Sequence, residues 1–115
     1  MALHHASSGE MIDVRPVADK IESAMSRALY KSKHLEVFRM FLEAGKLIPE
    51  HQVPGELTVQ CIEGCVEFSV NGVSQLMWPG NLICVAGGEA HALKGVEDCS
   101  VLVTLLLHPA QSLTP

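Results

Sequence analysis

Short apolar segments separated by turn residues fill most of this chain from Leu35 onward. Asn71-Gly72 lies between two of these segments and indicates a hairpin, because a type I′ turn needs a positive φ at both central residues. Pro79-Gly80 and Gly87-Gly88 interrupt the sequence in the same way further along. About eight to ten short strands with near-regular turns predict an all-β antiparallel sandwich or barrel, not units in which strands alternate with helices.

The sequence pattern divides the chain into three parts. This pattern predicts a loose N-terminal arm over residues 1–15, a single domain over residues 16–107 and a tail over residues 108–115. Val17, Ile21 and Met25 recur every four residues after Pro16, which favours one or two helical turns there. The expected strands are Arg27–Lys31, Leu35–Leu42, Leu57–Ile62, Val66–Val70, Val73–Met77, Leu82–Val85, Ala90–Leu93 and Val101–Leu107.

Length and charge exclude several classes of function. A chain of 115 residues can bury one core and leaves no room for a second domain. The formal net charge is -5 and the eight Lys and Arg residues are not clustered, which argues against a nucleic-acid partner. No apolar run approaches the ~20 residues that span a bilayer, and the first residues have no signal-peptide pattern. We therefore expect a cytoplasmic protein without a membrane partner.

Cysteine placement agrees with a reducing compartment. The four cysteines lie in or beside apolar segments, and none forms a CxxC pair; they are Cys61, Cys65, Cys84 and Cys99. We expect buried, reduced thiols at all four positions. A redox pair between Cys61 and Cys65, which flank Gly64, is the alternative.

The last predicted strand, Val101–Leu107, is apolar almost throughout and does not alternate. A strand of this kind needs cover on both of its faces. One face can lie against the core of a two-layer domain, which leaves the other for a partner sheet. Hydrophobic residues make up 48% of the chain, a high share for a small monomer. The sequence therefore predicts a homodimer.

Two histidines, His51 and His91, stand close to turn residues at the ends of predicted strands. Either of them alone could be a core histidine that is hydrogen-bonded to the backbone. The residues around the first histidine follow a recognisable spacing, in which Gly45, His51 and Gly64 hold three positions. In the pattern they resemble, a second histidine stands where this chain has Val53 and a glutamate where it has Leu57.

The residues around His91 resemble the second half of the same signature. Gly80, Gly88 and His91 match it, whereas a proline has become Ala86. On these two motifs the chain resembles the cupin superfamily, as a small single-domain cupin with degenerate metal-binding motifs. The resemblance implies a double-stranded β-helix, or jelly-roll barrel, with short strands added at the N-terminus. It also implies that His51 and His91 share one pocket.

The departures from the signature concern the metal ligands. Val53 and Leu57 cannot coordinate an ion, and two histidines fall short of the three protein ligands of a catalytic zinc or non-haem iron site. A divalent metal at the degenerate site would rest on His51 and His91, with Glu56 as a third ligand if the chain bends at Pro54-Gly55. The sequence thus assures no cofactor.

Two classes of function remain open. The first is a binding module whose pocket, lined by His51, Val53, Leu57, Val59 and His91, holds a small carbonyl or carboxylate compound. Met40, Met77 and Trp78 are further apolar residues for that lining. The second is an enzyme, either a metal-free acid–base isomerase or epimerase or a metal-dependent dioxygenase. His51 and His91 are the candidate catalytic residues, because imidazole is the most common general acid and base.

Overall fold

The structure is a computed structural model that describes residues 4–107. These residues form a short 3₁₀ helix, Ala18–Ser23, followed by nine strands. The strands are β1 (Arg27–Lys31), β2 (Leu35–Leu42), β3 (Leu47–His51), β4 (Leu57–Glu63), β5 (Val66–Val70), β6 (Val73–Met77), β7 (Leu82–Val85), β8 (His91–Gly95) and β9 (Cys99–Leu106). The predicted tail, 108–115, lies outside the described residues.

Two antiparallel sheets enclose one core. The five-stranded sheet has the order β1-β2-β9-β4-β7, and the four-stranded sheet has the order β3-β8-β5-β6. Alternation along each strand divides inner from outer residues. On β4, for example, Leu57, Val59 and Cys61 are buried, whereas Thr58 and Gln60 are only half-buried. The predicted all-β antiparallel fold is confirmed, and no helix of the described residues is long and apolar enough to cross a membrane.

The turn predictions match the backbone. Asn71 and Gly72 have φ values of 50° and 84° and join the paired strands β5 and β6, as a type I′ turn requires. Gly64 also has a positive φ, 76°, and a Cβ there would collide with the carbonyl oxygen of Asp98. The last glycine of the first motif is therefore fixed by the close approach of two backbone segments.

One strand was not expected from the sequence. β3 contains Pro49, which cannot donate a hydrogen bond to a neighbouring strand and so weakens the strand pattern. The strand forms nevertheless because it lies at the edge of its sheet and pairs only with β8. Its register shifts between Ile48 and His51.

A buried ion pair lies on the outer side of the five-stranded sheet, and hydrogen bonds connect the N-terminal segment to it. The Glu63 carboxylate accepts hydrogen bonds from Arg39 Nη2 at 2.9 Å and Ser100 Oγ at 2.6 Å. It also accepts hydrogen bonds from the backbone N–H groups of Val17 and Ala18, each at 3.0 Å. Arg39, Glu63 and Ser100 are all buried. We refer to Glu63, together with Arg39, Ser100, Val17 and Ala18, as the Glu63 clasp.

The Glu63 clasp predicts a pH-dependent stability. Burial acts to raise the pKa of Glu63, but hydrogen bonds from Ser100, Val17 and Ala18 and the charge of Arg39 outweigh it and hold the pKa below 4.5. A carboxyl with a lowered pKa in the folded state stabilises the fold above its unfolded pKa, and this contribution disappears as the pH falls through the folded value. Urea unfolding from pH 7 to pH 3 should show the loss.

A Glu63→Gln variant provides the control for this titration, since its amide cannot ionise. The difference in unfolding free energy between the natural chain and this variant should be largest near pH 7 and should shrink below pH 4.5. A difference that stays constant over this range would show that Glu63 has the same pKa in the folded and unfolded states.

The cysteines are free thiols, but only three of them are buried. Burial raises the pKa of Cys61 to about 11 and that of Cys99 to about 12, with neighbouring thiols adding to the effect, so neither forms a reactive thiolate near neutral pH. Cys61 and Cys65 form no disulfide. The expectation of a buried thiol at Cys84 is wrong, because this residue faces outward on the edge strand β7.

Candidate functional site

His51 and His91 lie directly opposite each other at the ends of β3 and β8. Their ring centroids are 4.3 Å apart, and the ring planes meet at 61° in an edge-to-face arrangement. This short distance agrees with the expectation that the two histidines share one pocket. The two histidines lie on neighbouring strands of the four-stranded sheet.

Backbone carbonyl groups orient both rings. His51 Nδ1 donates to the carbonyl oxygen of Pro49 at 2.9 Å, and His91 Nδ1 donates to that of Glu89 at 3.0 Å. A carbonyl oxygen can only accept, so Nδ1 carries the hydrogen in each ring. Nε2 is therefore the ring nitrogen left for a ligand in each histidine, as a lone-pair acceptor when the ring is neutral.

The two rings differ in their access to solvent. His91 is only 3% exposed and stacks on Phe68, with 6.0 Å between the ring centroids. His51 is exposed at the end of the edge strand β3. His51 therefore lies at the mouth of the site and His91 lies inside it.

Both histidines border a cavity between the two sheets. Its volume is about 50 Å³, and apart from the imidazoles its lining is entirely apolar. A water molecule needs ~10–15 Å³ on this measure, and benzene enters an engineered cavity of ~150 Å³. The lining residues are Phe38, Met40, His51, Val53, Leu57, Val59, Phe68, His91, Leu93, Val103 and Leu105.

Comparison with known proteins adds information on the fold. No family model matches the sequence, and no curated protein is significantly similar to it. Many solved structures do match the fold. A cupin superfamily protein from Desulfitobacterium hafniense has a TM-score of 0.72 at 16% identity, over 85% of this chain and 95% of the other. An RmlC-like cupin from Methanocaldococcus jannaschii, described as a double-stranded β-helix, also scores 0.72, at 15% identity, over 93% of this chain and 100% of the other.

The chain has the cupin fold. The predicted double-stranded β-helix is thereby confirmed, and the resemblance inferred from the two motifs holds at the level of the fold. A protein of unknown function from Streptococcus pyogenes is similar over more of the chain, with a TM-score of 0.71 at 23% identity, covering 94% of this chain and 98% of the other. Identities of this size establish a common fold and leave the activity to be argued from the site.

The cupin motif positions converge as the sequence suggested. All five residues expected to bind a ligand line the cavity: His51, Val53, Leu57, Val59 and His91. Of the three apolar residues considered with them, Met40 lines the cavity, Met77 is buried in the core and Trp78 is 48% exposed. Trp78 therefore has no part in the lining.

Six further residues line the cavity. The sequence suggested only one of them, Met40, as an additional apolar contact. Phe38 and Met40 come from β2, Phe68 from β5, Leu93 from β8, and Val103 and Leu105 from β9. Alternation would have assigned each to the inner side of its strand. The sequence contained no signal for which inner residues lie at the mouth end, because that depends on how the two sheets face each other.

The side chains of this cavity do not fit the divalent metal that the fold family implies. Among residues 4–107, no group of three or more His, Cys, Asp or Glu side chains is arranged to hold an ion. Val53 and Leu57 occupy two ligand positions of the motif, and both line the cavity as apolar groups. Glu56, the third ligand considered above, lines a different groove with Thr58 and Leu106.

Proposed function

We propose that this chain is a small-molecule-binding cupin whose ligand occupies the cavity beneath His51 and His91. The observation that supports the proposal is the pair of rings at 4.3 Å, which border an otherwise apolar cavity. Sites for small ligands typically combine an apolar lining with a few placed polar groups. Here those polar groups are the two Nε2 atoms.

The orientation of the rings indicates the chemistry of the ligand. With Nδ1 hydrogen-bonded to the backbone, each neutral ring offers Nε2 as an acceptor. A hydroxyl or N–H group of the ligand can donate to it. The carbonyl or carboxylate compound considered from the sequence would instead need a hydrogen on Nε2, and hence a charged ring beside an apolar cavity. We therefore favour a small, neutral ligand that donates a hydrogen bond.

The volume of the cavity limits the size of this ligand. At about 50 Å³ the cavity is well below the range of ~300–1,000 Å³ typical of sites for larger organic ligands. This is one third of the ~150 Å³ that admits benzene, so the cavity encloses a group of about two to four non-hydrogen atoms, and a larger compound has to extend past His51 into solvent.

A metal-free acid–base enzyme is the second candidate. Its support is the position of His51, an exposed imidazole with one ring nitrogen fixed and the other without a hydrogen-bond partner among the described residues. Such a ring can take a proton from a bound substrate and return it. No described carboxylate contacts either imidazole to assist this transfer, so binding remains the preferred function.

We also propose a reducing compartment, such as the cytoplasm, for this cupin. All four cysteines are free thiols in the structure. Small domains in oxidising compartments usually use their cysteines in disulfides.

Two probe molecules test the binding proposal. Pyrazole has five non-hydrogen atoms and one N–H donor, whereas 1-methylpyrazole has no donor. We expect pyrazole to shift the amide NMR signals of Val53, Leu57 and Leu93, all of which line the cavity. Loss of one hydrogen bond is worth about 1 kcal/mol, so 1-methylpyrazole should bind about five- to tenfold more weakly.

Histidine variants locate the interaction. His91→Ala should weaken pyrazole binding to a similar extent, whereas His34→Ala, at an exposed histidine outside the cavity, should leave it unchanged. Equal binding of the two probes would contradict the acceptor role of Nε2. Absence of any shift in the cavity with pyrazole would count against the binding proposal itself.

A further inference from the structure

We propose that the free edge of β6 binds an extended segment of another protein, in which basic and apolar residues alternate. β6 (Val73–Met77) is an edge strand of the four-stranded sheet and pairs only with β5. Its first four residues are all exposed. The bound segment adds a strand to the sheet, so that backbone hydrogen bonds supply affinity and side chains supply specificity.

The hairpin at Asn71-Gly72 determines which backbone groups of β6 are free. A two-residue loop of this type closes on a hydrogen-bonded pair, here Val70 and Val73. Hydrogen-bonded and non-hydrogen-bonded pairs then alternate along the two strands. Ser74 and Leu76 therefore direct their N–H and C=O groups away from β5. These four backbone groups are the positions to which an added strand can bind.

The β6 edge lacks the features that usually prevent strand addition. Exposed edges are commonly protected by bulges, by proline, by charged side chains or by very short strands. Among the described edge strands, β1 and β3 each contain a register shift, β3 also contains Pro49, and β7 has only four residues. β6 instead pairs in continuous register and contains neither proline nor charge. Of these edges, β6 is thus the most open to a partner strand.

Side chains on the two faces of β6 favour different partner residues. On the inner side, Val73 is 66% exposed and offers an apolar contact. On the outer side, Leu76 is 54% exposed and lies opposite Glu67 on β5. A lysine or arginine of the added strand can pack its aliphatic stem on Leu76 and direct its charge toward Glu67. Because successive residues of a strand point to opposite faces, the partner should alternate basic and apolar residues.

The charge of the chain favours such a partner over a second copy at this edge. The net charge is -5, so a cationic segment is attracted at long range, whereas another copy is repelled. Glu89 adds a negative charge near the start of β6, because its carboxylate accepts a hydrogen bond from Asn71 Nδ2 at 3.0 Å. Residues 68–88 contain no Lys, Arg, Asp, Glu or His. An added strand therefore covers no charge of β6 itself.

Trp78 directly follows the β6 edge and is 48% exposed. Aromatic residues are enriched in protein interfaces, and this residue lies where the side chains of an added strand would end. It is also the only tryptophan of the chain, so its fluorescence reports on this edge. A five-residue strand spans about 17 Å, which makes the contact small and the complex transient.

A pair of synthetic peptides tests the proposal. The probe is acetyl-KVKVKVK-amide, and acetyl-EVEVEVE-amide is the control with the opposite charge. We expect the basic peptide to change the fluorescence of Trp78 with a dissociation constant of about 10–500 μM, as for other small interfaces. The acidic peptide should bind at least about tenfold more weakly, because Glu67, Glu89 and the net charge repel it.

Hydrogen exchange followed by NMR identifies the mode of binding. In the protein alone, the amides of Ser74 and Leu76 should exchange fast, since they point away from β5. Saturating basic peptide should slow their exchange at least about tenfold, because backbone hydrogen bonds protect amides. A peptide that only rests on apolar side chains would leave these two amides unprotected.

Two leucine variants locate the contact at equal net charge. Leu76 and Leu47 are 54% and 58% exposed and lie on the two opposite edges of the four-stranded sheet. Leu76→Lys should weaken binding of the basic peptide at least about tenfold, because it places like charges side by side. Leu47→Lys should weaken it less than about threefold, through the net charge alone. Circular dichroism checks that both variants are folded.

Three results would overturn the proposal. The first is equal weakening by the two variants, and the second is peptide binding without protection of the Ser74 and Leu76 amides. The third is absence of binding at about 1 mM basic peptide. Protection of these amides that rises with protein concentration, without peptide, would assign the edge to a second copy instead. None of these results depends on whether the cavity binds a ligand.

Discussion

Replacing Glu63 with alanine should lower the free energy of unfolding by about 3–5 kcal/mol, because a buried charge that loses its partner is strongly destabilising. The Arg39 guanidinium would be left buried without its carboxylate. Ser100 and the backbone N–H groups of Val17 and Ala18 would lose their acceptor at the same time. Urea unfolding followed by circular dichroism measures the change.

Glu67→Ala is the matched control for this prediction. Glu67 lies on the next strand, β5, opposite Lys94, and is half-buried; its side chain forms no hydrogen bond or ion pair with the residues that the structure describes. Its removal should change the stability by less than about 0.5 kcal/mol. Equal effects of the two substitutions would mean that the Glu63 clasp contributes nothing specific.

The double variant Arg39→Met with Glu63→Leu tests whether charge is the cause. Apolar residues of similar size often replace a buried ion pair without loss of stability. We therefore expect this variant to be more stable than Glu63→Ala. A double variant as unstable as Glu63→Ala would assign the effect to the lost hydrogen bonds of Ser100 and the N-terminal segment instead.

Restoring the two missing motif ligands should create a tight metal site. Val53→His combined with Leu57→Glu adds two donors to a cavity that already contains His51 and His91. Each added protein ligand should contribute several kcal/mol, against about 10–16 kcal/mol for complete structural zinc sites. The affinity for Zn²⁺ or Mn²⁺ should rise at least about 1,000-fold, measured by calorimetry in competition with a chelator.

Gln52→His controls for the number of added donors. The histidine introduced at position 52 and the natural Glu56 are four residues apart, the same spacing as in the variant with Val53→His and Leu57→Glu. Glu56, however, lines the groove on the other side of the sheet. We expect no gain in affinity from it. Retention of a stoichiometric metal by the natural chain through dialysis against chelator would show that the ligand positions are misassigned. Glu56 or a cysteine such as Cys61 would then be a ligand.

The sequence predicted those features that depend on local chemistry. Asn71-Gly72 required a particular turn, and alternation along β4 placed Leu57 and Val59 on the same side of the strand. The two motifs identified His51 and His91 as neighbours because their spacing is tied to one fold. Each of these inferences needs only short segments and the rule that residues two apart share a face of a strand.

Features that depend on distant segments could not be predicted in this way. Whether β7 is an edge or a central strand decides the exposure of Cys84, and the sheet order is not encoded locally. In the sequence, Arg39 and Glu63 look like ordinary charged residues on strands. Their burial depends on the N-terminal segment, which is distant in the chain. Phe38 and Leu105 line the cavity because β2 and β9 pair over their full lengths, which the sequence alone does not specify.

The position of His51 in front of His91 also has a kinetic consequence. The ring at the mouth belongs to an edge strand with a proline and a register shift, held by hydrogen bonds to β8 alone. Segments with few such bonds open locally far more often than the whole domain unfolds. The rate at which a ligand enters or leaves the cavity would then follow the opening of this one short strand, which relaxation measurements on the His51 amide can time. Residence time and folding stability are thus separable properties in this molecule.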